Sequence, residues 1–127
     1  MKIILVEDNE TVRNMVTELL RILGHDVLIA ADKGLACELI QNHLSGVDLI
    51  LTDCDLPAPD EGLEVLAFAE NIIDFSGLNN VSKILMSGRY RATEAERAGA
   101  EFLPKPFTLA DLTATIQRAK NKKALPA

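Results

Sequence analysis

Apolar positions along the chain switch between two periods. Five short runs rich in Val, Ile and Leu (Lys2–Val6, Asp26–Ala31, Val47–Thr52, Lys83–Ser87 and Glu101–Pro104) have the length and composition of buried strands. Between them, apolar residues recur every three or four positions, as the buried stripe of a helix must. The first such segment carries Val12, Met15, Val16, Leu19, Leu20 and Leu23, and Gly24 ends it. A second helix is expected over Lys33–Asn42 with Ala36, Leu39 and Ile40 inward, and a third over Leu63–Phe75, burying Val65, Leu66, Ala69, Ile72 and Ile73. The last begins at Thr108, whose hydroxyl can cap it with Asp111 three residues on, and carries Leu109, Leu112 and Ile116. The fourth is odd. Thr93-Glu94-Ala95-Glu96 reads as a capping box, yet Gly99 follows so soon that only about one and a half turns fit at ~3.6 residues per turn.

Five strand–helix units in a row predict a doubly wound α/β fold, a parallel sheet with right-handed crossovers and helices on both faces. In such a sheet, ligands bind beyond the carboxyl ends of the strands, where the first, third and fifth strands meet one crevice. At 127 residues the chain is one domain. Trp is absent and aromatics are few, as suits an aliphatic interior. No apolar stretch approaches the ~18–20 residues of a membrane span, and the opening strand leaves no room for a signal peptide. Cys37 and Cys54 lack metal-ligand or disulfide-framework spacing, so a reduced, cytoplasmic setting is expected. A formal charge of −6 argues against non-specific nucleic-acid binding. The cluster Arg118, Lys120, Lys122 and Lys123 is read as favourable charge at the carbonyl end of the last helix plus a solvated tail. The tail is expected to be mobile after Ala119, with the domain at 1–121 and a short tail at 122–127.

The strand ends carry the candidate chemistry. Asp53 closes the apolar run of the third strand and precedes Cys54-Asp55-Leu56-Pro57; a carboxylate stranded there is costly unless something uses it. Glu7-Asp8, Ser87 and Lys105 close three other strands. Glu7, Asp8 and Asp53 offer the hard oxygen ligands that Mg²⁺ (or Mn²⁺) takes, and their mutual repulsion becomes binding energy once a cation is present. An Asp carboxylate can accept a phosphoryl group as an acyl phosphate, Lys105 supplies a point charge for its oxygens and Ser87 a hydroxyl donor. Singly each has a plainer reading: Glu7-Asp8 as acids at a helix N-terminus, Ser87 as a turn residue, Lys105 as a solvated loop lysine. Jointly they suggest a cation-assisted phosphoryl site with Asp53 as nucleophile. His25 and His43 are read as solvent-facing, Cys54 as packing because alternation points it away from Asp53, and Phe68 and Phe75 as helix packing.

With these segments together (Ile4-Leu5-Val6-Glu7-Asp8-Asn9, Leu51-Thr52-Asp53-Cys54-Asp55-Leu56-Pro57, Met86-Ser87-Gly88 and Leu103-Pro104-Lys105-Pro106-Phe107), the chain resembles a response-regulator receiver domain of two-component signalling over almost its full length. The resemblance implies a flavodoxin-like five-stranded sheet in the order 2-1-3-4-5. It implies that Asp53 accepts phosphoryl from a sensor histidine kinase or histidine phosphotransfer protein. Asp8 and Asp53 would ligate Mg²⁺ directly, Glu7 through water, and the backbone carbonyl of Asp55 would complete the protein's share. Ser87 and Lys105 would contact the phosphoryl oxygens, Phe102 would be an aromatic switch, and Lys105-Pro106 would be a cis peptide. Three departures stand out. The interval from Ser87 to Lys105 is about one helical turn short. The loop Pro57–Gly62 holds an extra residue, and Gly88 replaces the usual alanine. Asp55 and Arg89 flank the site in positions that allow a pair across it.

The leading function is therefore a stand-alone, phosphorylation-dependent switch rather than a conventional enzyme, acting through protein–protein contact, with homodimerisation one form. A rival is a phosphatase of the haloacid dehalogenase type, since Asp53-Cys54-Asp55 matches its Asp-x-Asp, the second Asp being a general acid. A third is a degenerate receiver serving only as a binding module.

Overall fold

The computed structural model describes residues 1–78 and 80–124, with side chains through Lys122; of the tail expected at 122–127, residues 125–127 lie outside the described residues, as do the side chains of Lys123 and Ala124. Strands and helices alternate: β1 (Lys2–Val6), α1 (Glu10–Ile22), β2 (Asp26–Ala30), α2 (Lys33–His43), β3 (Leu49–Asp53), α3 (Glu61–Ser76), β4 (Ser82–Ser87), α4 (Ala92–Arg97), β5 (Glu101–Pro104) and α5 (Leu109–Ala124). The sheet is parallel throughout, in the order β2-β1-β3-β4-β5. The fold class and strand order expected from the sequence both hold.

Side-chain alternation divides the sheet between two cores. Ile4, Val6, Ile50 and Leu85 face α2, α3 and α4, meeting Ala36, Ile40, Val65, Leu66 and Ala95. Ile3, Leu5, Leu49, Leu51, Ile84 and Met86 face α1 and α5, meeting Val16, Leu20, Leu112 and Ile116. Each fully buried aliphatic side chain contributes about 1.5–3 kcal/mol, so β1, β3 and β4, apolar on both faces, anchor the whole. Their carboxyl ends are thereby held in fixed register, with Val6 beside Thr52 and Asp53 beside Met86.

Several expectations change. β3 begins two residues later than expected and reaches Asp53 itself. A 3₁₀ turn at Leu44–Gly46, without a periodic signal of its own, joins α2 to β3. The capping box at Thr93 does not form: α4 starts at Ala92, and Arg91 stands at its N-cap without a side-chain hydrogen bond. The box at Thr108 does form, the Thr108 N–H donating to Asp111 at 2.9 Å and the Asp111 N–H to the Thr108 hydroxyl at 3.1 Å. α5 continues to Ala124, beyond the point where the chain was expected to loosen. Phe75, near the end of α3, is 94% exposed rather than packed, because it lies off the stripe of Val65, Leu66, Ala69 and Ile73 that the helix buries. Met15 and Leu109 lie at the edges of their apolar stripes and are exposed, and Ile72 is half-buried. His25 is half-buried, with Nδ1 3.1 Å from the amino group of Met1, whereas His43 is exposed as expected.

Gly62 fixes how α3 enters. A Cβ there would lie 1.8 Å from the Asp53 carbonyl oxygen, and its N–H donates to the Cys54 carbonyl at 2.8 Å. Only glycine lets the first turn of α3 press against the end of β3.

Candidate functional site

The chain leaves β1 through Glu7 and Asp8 and enters α1 at Asn9, whose side chain caps the helix by accepting the Val12 N–H at 3.0 Å. Glu7 is fully buried, while Asp8 is exposed. At the end of the neighbouring strand, Asp53 keeps 13% of its side chain exposed. Carboxylate oxygens of Glu7, Asp8 and Asp53 lie within 4.8 Å of one another. Lys105 reaches across from the end of β5: its Nζ donates to Glu7 Oε1 at 2.5 Å and lies 3.2 Å from Asp53 Oδ2. The Lys105 N–H donates to the Ser87 carbonyl at 2.9 Å, which ties the lysine's backbone to the end of β4; the Lys105-Pro106 peptide is cis, as expected. Ser87 is buried, and its Oγ accepts the Arg89 N–H at 3.0 Å. Glu7, Asp8, Asp53, Ser87 and Lys105, drawn from four strand ends, thus surround one mouth.

The electrostatics show a site short of positive charge. Burial pushes the Glu7 carboxyl up to about 7; the Lys105 hydrogen bond opposes this and the Asp53 charge adds to it. Burial alone would lower the Lys105 ammonium, but the Glu7 bond and the charges of Asp53 and Glu7 outweigh it and raise it. One ammonium faces three carboxylates. The all-oxygen set and its uncompensated charge fit a hard dication. Glu7, Asp8 and Asp53 are the side chains that would hold it.

Asp55 faces outward from this cluster. Nη2 of Arg89 lies 2.7 and 2.9 Å from its two carboxylate oxygens, the pair anticipated from the sequence. Burial works to raise Asp55, but the Asp60 N–H and the Arg89 guanidinium bring its carboxyl below the usual carboxylate range. Cys54 points into the core, as alternation requires, and burial with the Asp60 contact pushes its thiol up to about 12, which leaves it inert at neutral pH. Phe102 is half-buried and meets exposed Tyr90 edge-on, the ring centroids 6.0 Å apart. A Cβ on Gly88 would meet nothing within 4 Å, so the space beside the site is open there with or without a methyl group.

Sequence reasoning missed Asp60 and Arg91, which join the two loops beside the site, and buried Lys83, which Glu70 of α3 neutralises. The visible signal for Asp60 was its residue type: Asp tolerates a positive φ, here 63°. Nothing local marked Lys83 as a buried ammonium in an apolar strand. Among the described residues no helix is long and apolar enough to cross a membrane.

Comparison with known proteins agrees with this geometry. The family model described as the response regulator receiver domain matches residues 3–117. Chemotaxis protein CheY-3 of Vibrio cholerae is 30% identical over 93% of this chain and 90% of its own length. The DNA-binding transcriptional regulator NtrC of Azospirillum brasilense is 29% identical over 98% of this chain, which spans only 25% of that protein. The crystal structure of a response regulator receiver domain protein from Clostridium thermocellum superposes with a TM-score of 0.83 at 28% identity, covering 97% of this chain and 96% of the other. The order of the strands, the acids and lysine at their ends and these matches together show that the chain belongs to the response regulator receiver domain family of two-component signalling.

Proposed function

We propose that the chain is a phospho-accepting switch, with Asp53 taking a phosphoryl group from a phosphohistidine on a sensor histidine kinase or histidine phosphotransfer protein. The observation that carries this reading is the placement of Lys105 Nζ 3.2 Å from Asp53 Oδ2, with Glu7 and Asp8 alongside. A carboxylate oxygen of Asp53 attacks phosphorus, the P–N bond to the donor imidazole breaks, and the ring leaves with that electron pair. Lys105 balances charge on the phosphoryl oxygens and the Ser87 hydroxyl donates to one of them. Asp8, Asp53, Glu7 through water and the Asp55 backbone carbonyl would hold Mg²⁺ (or Mn²⁺), which would supply charge neutralisation and alignment when bound. Phe102 and Ser87 form the readout, and the product is a changed protein-binding surface.

The pairing of the second Asp-x-Asp carboxylate with Arg89 disfavours the phosphatase reading, because the guanidinium holds that carboxyl below the usual range and favours its charged form over a proton donor. Incubation with a small acyl-phosphate donor and Mg²⁺ should add one phosphoryl mass at Asp53, and Asp53→Asn should abolish it. Labelling that survives in the variant would remove Asp53 from the role. Rapid phosphomonoester turnover without an adduct would restore the phosphatase, and no adduct from either a small donor or a histidine kinase would leave a binding module.

A further inference from the structure

Apart from glycines, Asp60 is the described residue with a positive φ, and it stands at the N-cap of α3 without lending its side chain as a cap. Its carboxylate turns toward α4 instead. Oδ1 lies 3.1 Å from Nη2 of Arg91 and 3.7 Å from Nη2 of Arg89, and it accepts the Cys54 thiol at 3.4 Å. Its N–H donates to Asp55 Oδ1 at 2.9 Å. Arg91 in turn begins α4, since its carbonyl accepts the Ala95 N–H at 2.9 Å.

A helix of six residues does not hold itself together in water. Ala95 is the residue α4 buries fully, so tertiary contacts at its first turn must do much of the holding. The polar network there is also incomplete. Arg91 Nη1 and Glu94 Oε2 stand 3.7 Å apart, and Arg91 Nε and Glu94 Oε2 are buried with no hydrogen-bond partner among the described residues. Unpaired atoms in a buried network hold a helix less firmly than a fully satisfied network does.

We propose that the Asp60–Arg91 ion pair tethers α4 to the loop that follows Asp53, and that its release carries the state of Asp53 to α4. The tether stands on the geometry above; its trigger rests on the function proposed for Asp53. A phosphoryl group there competes with Asp55 and Asp60 for the two guanidiniums. Arg89 is already linked to the site through Ser87 Oγ. Drawn toward the phosphoryl charge, Arg91 leaves Asp60, and α4 loosens from the sheet. The device biases two discrete arrangements by local charge.

Hydrogen exchange on the full chain tests this at the amides of Ala95, Ala98 and Ala100, which donate to Arg91, Glu94 and Ala95 carbonyls. Asp60→Asn keeps a residue tolerant of positive φ and an acceptor for Cys54, and removes the charge. Exchange at the three amides should quicken about tenfold in unphosphorylated Asp60→Asn and Arg91→Gln, while the Ile84 and Leu85 amides of β4 stay protected. Phosphorylation of the unaltered chain should produce the same quickening, and in Asp60→Asn should add little. Unchanged α4 exchange in both variants overturns the tether. A full phosphorylation response in Asp60→Asn overturns its part in signalling. If β4 loosens too in Asp60→Asn, Arg91→Gln, which leaves the loop residue in place, decides. Failure of the unaltered chain to label at Asp53 would remove the trigger and the proposed function with it, yet the unphosphorylated comparison would still decide the tether.

Discussion

Glu7 is the residue on which charge at the site turns. It is fully buried beside Asp53, and its carboxyl titrates at about 7 although Lys105 donates to it at 2.5 Å. Burial outweighs the ammonium because both groups lose water in the same place. The raised value means that the metal-free fold holds a proton that the unfolded chain releases near the ordinary 4.5. Glu7 therefore contributes stability below about 4.5 that is lost as pH rises toward about 7. In chelator, the midpoint of thermal unfolding should carry a falling component across that window, and Glu7→Gln should remove it; an unchanged profile would contradict the assignment. Lys105→Ala leaves buried carboxylates without their cation. At pH 8 it should cost about 3 kcal/mol in denaturant titrations, and at pH 6 less, because Glu7 can then hold its proton. Mg²⁺ affinity should survive in Lys105→Ala, since no proposed ligand is lost, and a loss as large as in Asp8→Ala would contradict that division of roles. From sequence, Glu7 and Lys105 were legible as site residues by their place at strand ends. Their direct bond was not, because it joins residues 98 apart in the chain.

The helices differ in how much of them local sequence could specify. α1 was readable because apolar period and stop agree, Gly24 following it with φ 86°, and α5 because period and cap agree, the Thr108 hydroxyl accepting the Asp111 N–H. α4 was readable as short, since Gly99 comes early, but its cap was not. Thr93 had the right type, yet the helix starts one residue before it, at Ala92, with Arg91 at the N-cap held by Asp60. α3 depends on a contact that no periodicity reveals, the approach of Gly62 to the Asp53 carbonyl. Gly62→Ala must push α3 from β3, and should destabilise by about 1–3 kcal/mol or more while reducing phosphoryl labelling of Asp53. Gly88→Ala, with nothing in reach of the new methyl, should stay within about 0.5 kcal/mol. Equal losses in the two variants would show that close approach at Gly62 is not the constraint.

Across the whole molecule, the site and the fold share one set of strands, so a ligand at the carboxyl ends is felt everywhere. The chain carries a net charge of −6, and the crowded acids of Glu7, Asp8 and Asp53 add local repulsion to it. Mg²⁺ at about a hundred times its dissociation constant should raise the unfolding free energy by about 2.7 kcal/mol, as one cooperative transition. Chelator should reverse the gain and Asp8→Asn should abolish it; a gain of equal size in that variant would place the cation elsewhere. The sequence by itself determined the alternation of strands and helices and the apolar runs of the buried strands, and it put Asp53, Glu7, Asp8, Ser87 and Lys105 at strand ends. Those follow from side-chain period and from chemistry placed at strand ends, which neighbouring residues express. Tertiary structure alone decided that Asp60 would join Arg91, that Lys83 would meet Glu70 and that Gly62 would lie against Asp53. Each of these contacts links separate elements, so its energy exists only once the sheet has brought them together.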